Sequence, residues 1–249
     1  MLTYSLPPST RGTDWKVRCL DQVDSTQSEA RRLIDAGEEH ETVIVAGQQS
    51  AGHGRLLRRW FSPPGNLYMS FVLTPPLPLP GWPQLTSLAA LSIAEVLDAL
   101  QVPEVTLKWP NDVLVGGRKI AGVLAEACAG RLIIGIGVNV NAPLQADLFG
   151  ATSLKLVTGR DTELSSLWQS IVERLDVLLA ERYDGRSLTA RWAARLQTLG
   201  RPVDVQYGNR IVSGVAEGVT EDGGLVVRKT GGCIEVFRAA DVTLNPGPV

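Results

Sequence analysis

From Val105 to Val140 the chain reads VTLKWPNDVLVGGRKIAGVLAEACAGRLIIGIGVNV, a succession of apolar runs cut by short turn signals. Gly116-Gly117 separates VLV from KIAGVLAEAC, and Ala129-Gly130 separates that run from RLIIGIGVNV. Two-residue connections of this kind are hairpin signals, because tight hairpins need positive φ at the turn. Successive hairpins force neighbouring strands to run antiparallel. An antiparallel sheet with apolar faces then needs helices to cover it.

The rest of the chain supplies those helices. VDSTQSEARRLIDAG offers Asp24 or Ser25 as an N-cap, Thr26 and Glu29 at capping-box spacing, and Gly37 as the stop. LTSLAALSIAEVLDAL places Ile93, Val96, Leu97 and Leu100 on one helical face. ELSSLWQSIVERLDVLLAERY repeats apolar residues at Leu164, Leu167, Trp168, Ile171, Leu175 and Leu178 before stopping near Gly185. These stripes read as core packing. The expectation is an α+β fold with a mixed, largely antiparallel sheet covered by helices.

Beyond RWAARLQTLG the pattern changes to four or five short strands, with turns at Gly208-Asn209, Gly223-Gly224 and Gly231-Gly232. That spacing predicts a small β-barrel. The domain boundary is placed near Gly200, giving units 1–199 and 200–249.

Composition limits the function. A net charge of −2 leaves no broad basic surface for nucleic acid or anionic membrane, so any basic patch is local. The three cysteines are widely spaced and form no CxxC, which fits a reducing compartment. With two histidines in the chain, no histidine-based zinc site is expected. No apolar run has the length of a membrane span or a signal sequence, and a cytoplasmic setting is expected.

Four stretches carry candidate chemistry. SAGHGRLLRRWFSPPGNLYMS lies between strand-like TVIVAG and LYMSFVL and sets Gly52 and Gly54 beside Arg55, Arg58 and Arg59. Glycine backbone and forked guanidinium donors suit an anion; a solvated basic loop is the plain alternative. In KWPNDV, Pro110 is expected to end the strand and present Asn111 and Asp112 in a turn beside Lys108, a set suited to phosphate and Mg²⁺. In GRKIAGVLAE, strand alternation predicts Lys119 and Ala121 on one face, with Ile120 and Gly122 on the other. In GIGVNVN, Gly135 and Gly137 leave room on a strand that Asn139 follows.

Taken in order, DSTQ, the glycine-arginine loop ending RWFSPPGNLYMS, KWPNDV, GRKIAGVLAE and GIGVNVN resemble the biotin protein ligase family from about Asp24 to Asn141. The region after Gly200 resembles that family's SH3-like barrel. The resemblance implies a class II synthetase-like, biotin/lipoate-ligase-like fold. It also implies an enzyme that joins biotin and ATP into biotinyl-AMP, then passes biotin to a lysine of a biotin carboxyl carrier protein. On it, Ser25, Thr26, Gln27, Gln49, His53, Gly54 and Arg55 would line the biotin end, with Gly122 and Gly135 giving the ring and chain room. Lys119 and Arg55 would be catalytic. Lys119 would stand between the biotin carboxylate and the α-phosphate. Arg55, Arg58, Trp60, Lys108, Asn111, Asp112 and Asn139 would surround the nucleotide, with Mg²⁺ on Asp112. The loop is expected to be mobile without ligand and closed over biotinyl-AMP.

The sequence departs from that family's GRGRxGR loop. Here GHGRLLR puts His53 in place of arginine and Leu57 in place of glycine, and Gln27 stands where asparagine is common. Because histidine titrates near neutrality, retention of the intermediate is expected to fall as pH rises from 6 to 8. About twenty residues precede DSTQ, too few for a helix-turn-helix, so no DNA-binding role is expected. RLIIGIGVNV is a candidate exposed strand that would pair across a two-fold axis, so either monomer or homodimer is open. A lipoate–protein ligase and a non-catalytic biotin sensor are the alternative readings.

Overall fold

The computed structural model describes residues 6, 9–12, 14–144, 150–185, 187–238 and 240–244, the side chain of Leu57 excepted. Strand β1 (Lys16–Leu20) leads through α1 (Thr26–Asp35) to β2 (Thr42–Ala46), and β3 (Leu67–Leu73) follows the glycine-arginine loop. Then come α2 (Trp82–Ala99), β4 (Val105–Lys108), β5 (Asp112–Val115), β6 (Arg118–Cys128) and β7 (Arg131–Val138). Helices α3 (Leu154–Thr158), α4 (Leu164–Tyr183) and α5 (Thr189–Ala193) precede β8 (Pro202–Tyr207), β9 (Arg210–Val219), β10 (Leu225–Lys229), β11 (Ile234–Phe237) and β12 (Asp241–Leu244).

The first seven strands form one sheet in the order β1-β2-β3-β7-β6-β5-β4. Every pairing is antiparallel except β1 with β2, whose parallel register requires the crossover that α1 provides. The sheet is therefore mixed and largely antiparallel, as expected. Both predicted hairpins form, with φ of 56° and 73° at Gly116-Gly117 and 46° and 77° at Ala129-Gly130.

Side-chain alternation divides the sheet into two unlike faces. Leu67, Met69, Phe71 and Leu73 of β3, with Leu132, Ile134, Ile136 and Val138 of β7, join the large core under α2 and α4. The opposite face holds a small cluster, Ala30 of α1 on Ile44, Val72 and Ile133. Beyond that cluster β7 presents Gly135 and Gly137 instead of apolar side chains, and the sheet is left open for the loop that precedes β3. Strand β3 is buried at all seven positions, which is why it reads as a near-continuous apolar run with Ser70 as its one small polar residue.

Several expectations needed correction. Strand β1 gave no distinct signal and was missed. Ser25 caps α1 without a side-chain hydrogen bond, so the Thr26–Glu29 capping box does not form. Thr26 is already helical, and its hydroxyl donates to Gln49 Oε1 at 3.2 Å instead. RLIIGIGVNV cannot pair with a second copy through its edge, because β7 lies in the sheet between β3 and β6. Asp112 is not in the turn either: it opens β5, paired with Lys108 on one side and Gly122 on the other.

The last five strands form an antiparallel sheet in the order β11-β10-β9-β8-β12. Its inward residues, among them Val203, Val205, Leu225 and Phe237, are continuous with the main core. The turn between β9 and β10 reaches the KWPND segment, where Trp109 Nε1 donates to the Gly223 carbonyl at 2.9 Å. Among the described residues no helix is long and apolar enough to cross a membrane.

Candidate functional site

The loop between β2 and β3 folds as a small hairpin. Trp60 N donates to the Gly52 carbonyl at 2.9 Å and Gly54 N to the Arg58 carbonyl at 2.7 Å, around a single 3-10 turn at Arg55–Leu57. The left-handed position is taken by Leu56 (φ 53°), not by Gly52 or Gly54. Gly52 is needed for space: a Cβ there would stand 2.5 Å from Ser62 Oγ and 2.7 Å from the Trp60 carbonyl. The substitution of glycine by Leu57 falls on a side chain outside the described residues.

This hairpin lies over the open face of the sheet and encloses a cavity of about 410 Å³. Every residue that the family resemblance assigned to the site lines it: Ser25, Thr26, Gln27, Gln49, His53, Gly54, Arg55, Arg58, Trp60, Lys108, Asn111, Asp112, Lys119, Gly122, Gly135 and Asn139; Gly52, the other loop candidate, does not. The convergence spans the α1 N-terminus, the loop, the β4–β5 turn, β6 and β7.

One end of the cavity is a neutral hydrogen-bonding array. Thr26 N donates to Gln49 Oε1 at 2.8 Å, and Gln49 Nε2 donates to Ser62 Oγ at 2.9 Å. Ser70 Oγ donates to Thr26 Oγ1 at 2.8 Å, with Gln27 Oε1 at 3.3 Å. Ser25, Thr26, Gln27, Ser62 and Ser70 are all buried. A buried array of alternating donors and acceptors without net charge suits a small, neutral, polar ring.

The other end is cationic. Lys119 Nζ forms an ion pair with Asp112 Oδ1 at 2.5 Å and lies 5.4 Å from the Trp60 ring centroid. Lys108 faces the same cavity and has no ion pair among the described residues. Arg55 donates to Asn111 Oδ1 at 3.4 Å and to the Ala240 carbonyl at 3.0 Å. Arg55 and Arg58 both pair with Asp241, the first residue of β12, Arg55 at 3.6 Å. Thus one carboxylate, that of Asp241, engages the guanidinium groups of both loop arginines. Asn139 is engaged differently, donating its amide to the Thr152 carbonyl at 3.1 Å. His53 Nδ1 lies 3.5 Å from the Ala51 carbonyl.

Two details of the sheet place these groups. A register shift in the β5–β6 pairing follows Val113, with Val113 opposite Ala121 and Leu114 opposite Lys119, so Ile120 is the extra residue. Strict alternation is broken there. Lys119 therefore shares a face with Gly122, whose added Cβ would meet Lys119 Cε and Nζ at 3.2 Å, contrary to the simple two-residue period. Second, the strand glycines leave room for the protein's own side chains. A Cβ on Gly135 would lie 2.9 Å from Gln27 Cδ, and one on Gly137 would lie 2.5 Å from Trp60 Cε2. The expected open space at Gly135 is filled by Gln27. The Trp60 indole N–H is buried on Gly137 with no partner.

At the loop's far end Tyr68 Oη donates to the Pro63 carbonyl at 2.7 Å, and burial pushes the Tyr68 phenol well above its ordinary pKa. This pins the Pro-Pro-Gly turn and hence Trp60. Sequence reasoning missed Ser62, Ser70 and Asp241. Ser70 had a signal, a small polar residue inside an apolar strand; Asp241 had none.

Residues 20–141 match the model of the Biotin/lipoate A/B protein ligase family, and residues 198–244 match the Biotin protein ligase C terminal domain. A biotin--[acetyl-CoA-carboxylase] ligase of Paracoccus denitrificans is 32% identical, the match covering 90% of this chain and 98% of that protein. A bifunctional ligase/repressor of Bacillus spizizenii is also 32% identical, over 90% of this chain and 73% of that protein. Among solved structures, a biotin protein ligase from Aquifex aeolicus in complex with biotin and ATP superposes with a TM-score of 0.82 at 31% identity. That match covers 92% of this chain and 98% of the other.

Proposed function

This chain belongs to the biotin protein ligase family, and from that premise we propose how its residues perform the reaction. The chain is an ATP-dependent biotin ligase. A biotin carboxylate oxygen attacks the α-phosphorus of ATP, the bond to pyrophosphate breaks, and biotinyl-AMP forms. A lysine amine of the acceptor then attacks the biotinyl carbonyl, loses a proton, and AMP leaves.

The observation that carries the assignment of roles is the polarity of the one cavity. Its neutral end (Ser25, Thr26, Gln27 and Gln49, backed by Ser62 and Ser70) fits the ureido ring of biotin. Its cationic end, Lys119, Lys108, Arg55 and Arg58, fits the triphosphate. The first step brings a carboxylate against a phosphate. Two unit charges 4 Å apart repel by about 1 kcal/mol in water and about 4 kcal/mol at an effective dielectric near 20. Lys119, at the junction of the two ends, offsets that repulsion and the charge that grows on the α-phosphate. The loop arginines exchange Asp241 for the phosphates. With Trp60 over the strand glycines, the loop then keeps water from a mixed anhydride that would otherwise hydrolyse.

Mg²⁺ fits here as a passenger of the nucleotide. Asp112 offers a single carboxylate and Asn111 an amide oxygen, and no cluster of three His, Cys, Asp or Glu side chains exists among the described residues. One carboxylate with phosphates and waters is the usual protein share of a Mg²⁺ site, and the ion would neutralise phosphate charge beside Asp112.

The acceptor in this reading is the biotin carboxyl carrier protein of acetyl-CoA carboxylase, the substrate in the names of relatives. We place the domain boundary near Gly200, and the activity in the cytoplasm, in line with three cysteines outside any disulfide. The chain works as a monomer or homodimer without DNA or membrane. Pyrophosphate exchange into ATP tests the reading, run with biotin, with lipoate and with neither. Exchange dependent on biotin supports it; exchange with lipoate alone, or none alongside measurable biotin binding, overturns it.

A further inference from the structure

Glu126 of β6 lies outside the cavity just described; it lines a neighbouring cleft of about 380 Å³, which Gln27 does not reach. The two residues nevertheless touch. Gln27 Nε2 donates to Glu126 Oε2 at 3.0 Å, and Arg31 Nη2 pairs with the same oxygen at 2.9 Å. Gln27 and Arg31 stand one turn apart on α1, so the carboxylate is bracketed by two donors from one helix face.

A glutamine amide fits a slot in two orientations that differ by a half-turn, and neighbours decide between them. Ionised Glu126 accepts only, so it takes the NH₂ end of Gln27. The carbonyl end is thereby turned towards Ser70 and the neutral array, with Ser70 Oγ at 3.3 Å. The amide has no slack across its plane, since a Cβ on Gly135 would sit 2.9 Å from Gln27 Cδ and 3.0 Å from Oε1. Gln27 is thus a fixed wall of the ring-binding end, and its polarity is set from outside that cavity.

We infer that Glu126 is a positioning residue for substrate selection: it fixes the Gln27 carboxamide over Gly135 and so sharpens the site for the fused ring of biotin. The inference rests on the assignment of the Thr26–Gln49 end to the ring. Pyrophosphate exchange is measured for Glu126→Ala and Glu126→Gln with biotin, with desthiobiotin (which keeps the cyclic urea but lacks the sulfur-containing ring), and across ATP concentrations. Losing the anchoring hydrogen bond raises KM for biotin roughly tenfold in Glu126→Ala. There, kcat and the KM for ATP stay within about twofold of wild type. Preference for biotin over desthiobiotin narrows, and Glu126→Gln restores it, because a carboxamide oxygen accepts the same bond. An unchanged biotin KM in Glu126→Ala overturns the inference. So does a loss shared by kcat and the ATP KM, or a Glu126→Gln variant as impaired as Glu126→Ala. Thr26→Ala and Gln49→Ala separate the two readings. If they leave the biotin KM unmoved, the ring-end assignment fails and takes this inference with it; if they raise it and Glu126→Ala does not, this inference alone fails.

Discussion

Replacing Gly137 by alanine tests the placement of the loop through one contact, that of the strand with the Trp60 indole. The new methyl would stand 2.5 Å from Trp60 Cε2, 2.6 Å from Nε1 and 2.8 Å from Cζ2. Carbon atoms in contact sit about 3.5 Å or more apart, so the indole has to withdraw by about 1 Å. A rigid ring cannot bend away as a lysine does, and overpacking of this kind costs about 1–3 kcal/mol. The strand cannot yield, because Gly137 is hydrogen-bonded between β3 and β6. The loop carrying Trp60 is the part that moves. If the closed arrangement loses that free energy, its population falls roughly fivefold to a hundredfold or more, at 1.4 kcal/mol per factor of ten. Biotin-dependent pyrophosphate exchange is expected to fall about tenfold, while Tm drops by no more than about 2–4 °C per kcal/mol. Trp60→Phe, which removes the indole nitrogen from the collision, recovers part of the exchange in the Gly137→Ala background and little in the wild type. Gly218→Ala, whose methyl would meet nothing within 4 Å, is the control. Wild-type exchange in Gly137→Ala would mean that Trp60 does not rest on this strand in the working enzyme.

Three further tests address other parts of the reading. Lys119→Ala slows formation of biotinyl-AMP by roughly 10²–10³-fold in quenched-flow measurements; a near-normal first step would remove Lys119 from the chemistry. Asp241→Asn frees the loop arginines in the absence of ligand, so trypsin cuts after Arg55 or Arg58 faster than in wild type, with protection regained on adding biotin and ATP. Equal cleavage rates without ligand would show that the Asp241 ion pairs do not hold the loop. Asp176 on α4 accepts from Ser9, Thr10, Arg11 and Trp15 while buried. Burial pulls its pKa upward, but Arg11, Thr10 and Ser9 outweigh it and hold the carboxyl below its ordinary value. A depressed folded pKa stabilises above the unfolded value of about 3.9 and loses that stability as pH falls through the folded value. Asp176→Ala is expected to cost about 3–5 kcal/mol at neutral pH by urea unfolding, and to make the loss of stability below about pH 4 shallower. An unaltered acid limb would show that this carboxylate is not what acid titrates.

The strands from Val105 to Val138 were legible because hairpin turns and apolar runs are local signals, and the glycines at Gly116 and Gly117 have the backbone signs the turn demands. Strand β1 was not, since KVRCL is short, with two charged residues in five, and takes its structure from pairing with β2. The residues that line the cavity were legible as an ordered set of motifs, yet the face of Lys119 was misjudged, because one bulged residue at Ile120 reverses every assignment carried across it from a two-residue period. Asp241 lay beyond reach of any local pattern: its partners are 183 and more residues away, and only the docking of the second sheet brings them together.

The strand glycines carry the wider lesson about how this site is built. A GxG on a strand invites the reading that a ligand fills the gap. Here Gly135 admits Gln27 and Gly137 admits Trp60, while Gly122 lets Lys119 and Trp60 meet. The backbone is thinned so that three functional side chains from α1, the loop and β6 can lie flat on the sheet, each fixed by the absence of a Cβ beneath it. The cavity then lies between those side chains and not in the sheet. On the proposed assignment, one surface thereby serves two chemically opposite halves of a reaction. Gln27 brings a neutral amide to one end and Lys119 an ammonium to the other, while Trp60 covers the strand between them. Their spacing is set by adjacent residues of β6 and β7, the Leu124–Gly135 and Gly122–Gly137 pairs. Neighbouring pairs on one face of a sheet hold that spacing rigidly, so on the proposed assignment the sheet itself sets where carboxylate would meet phosphate.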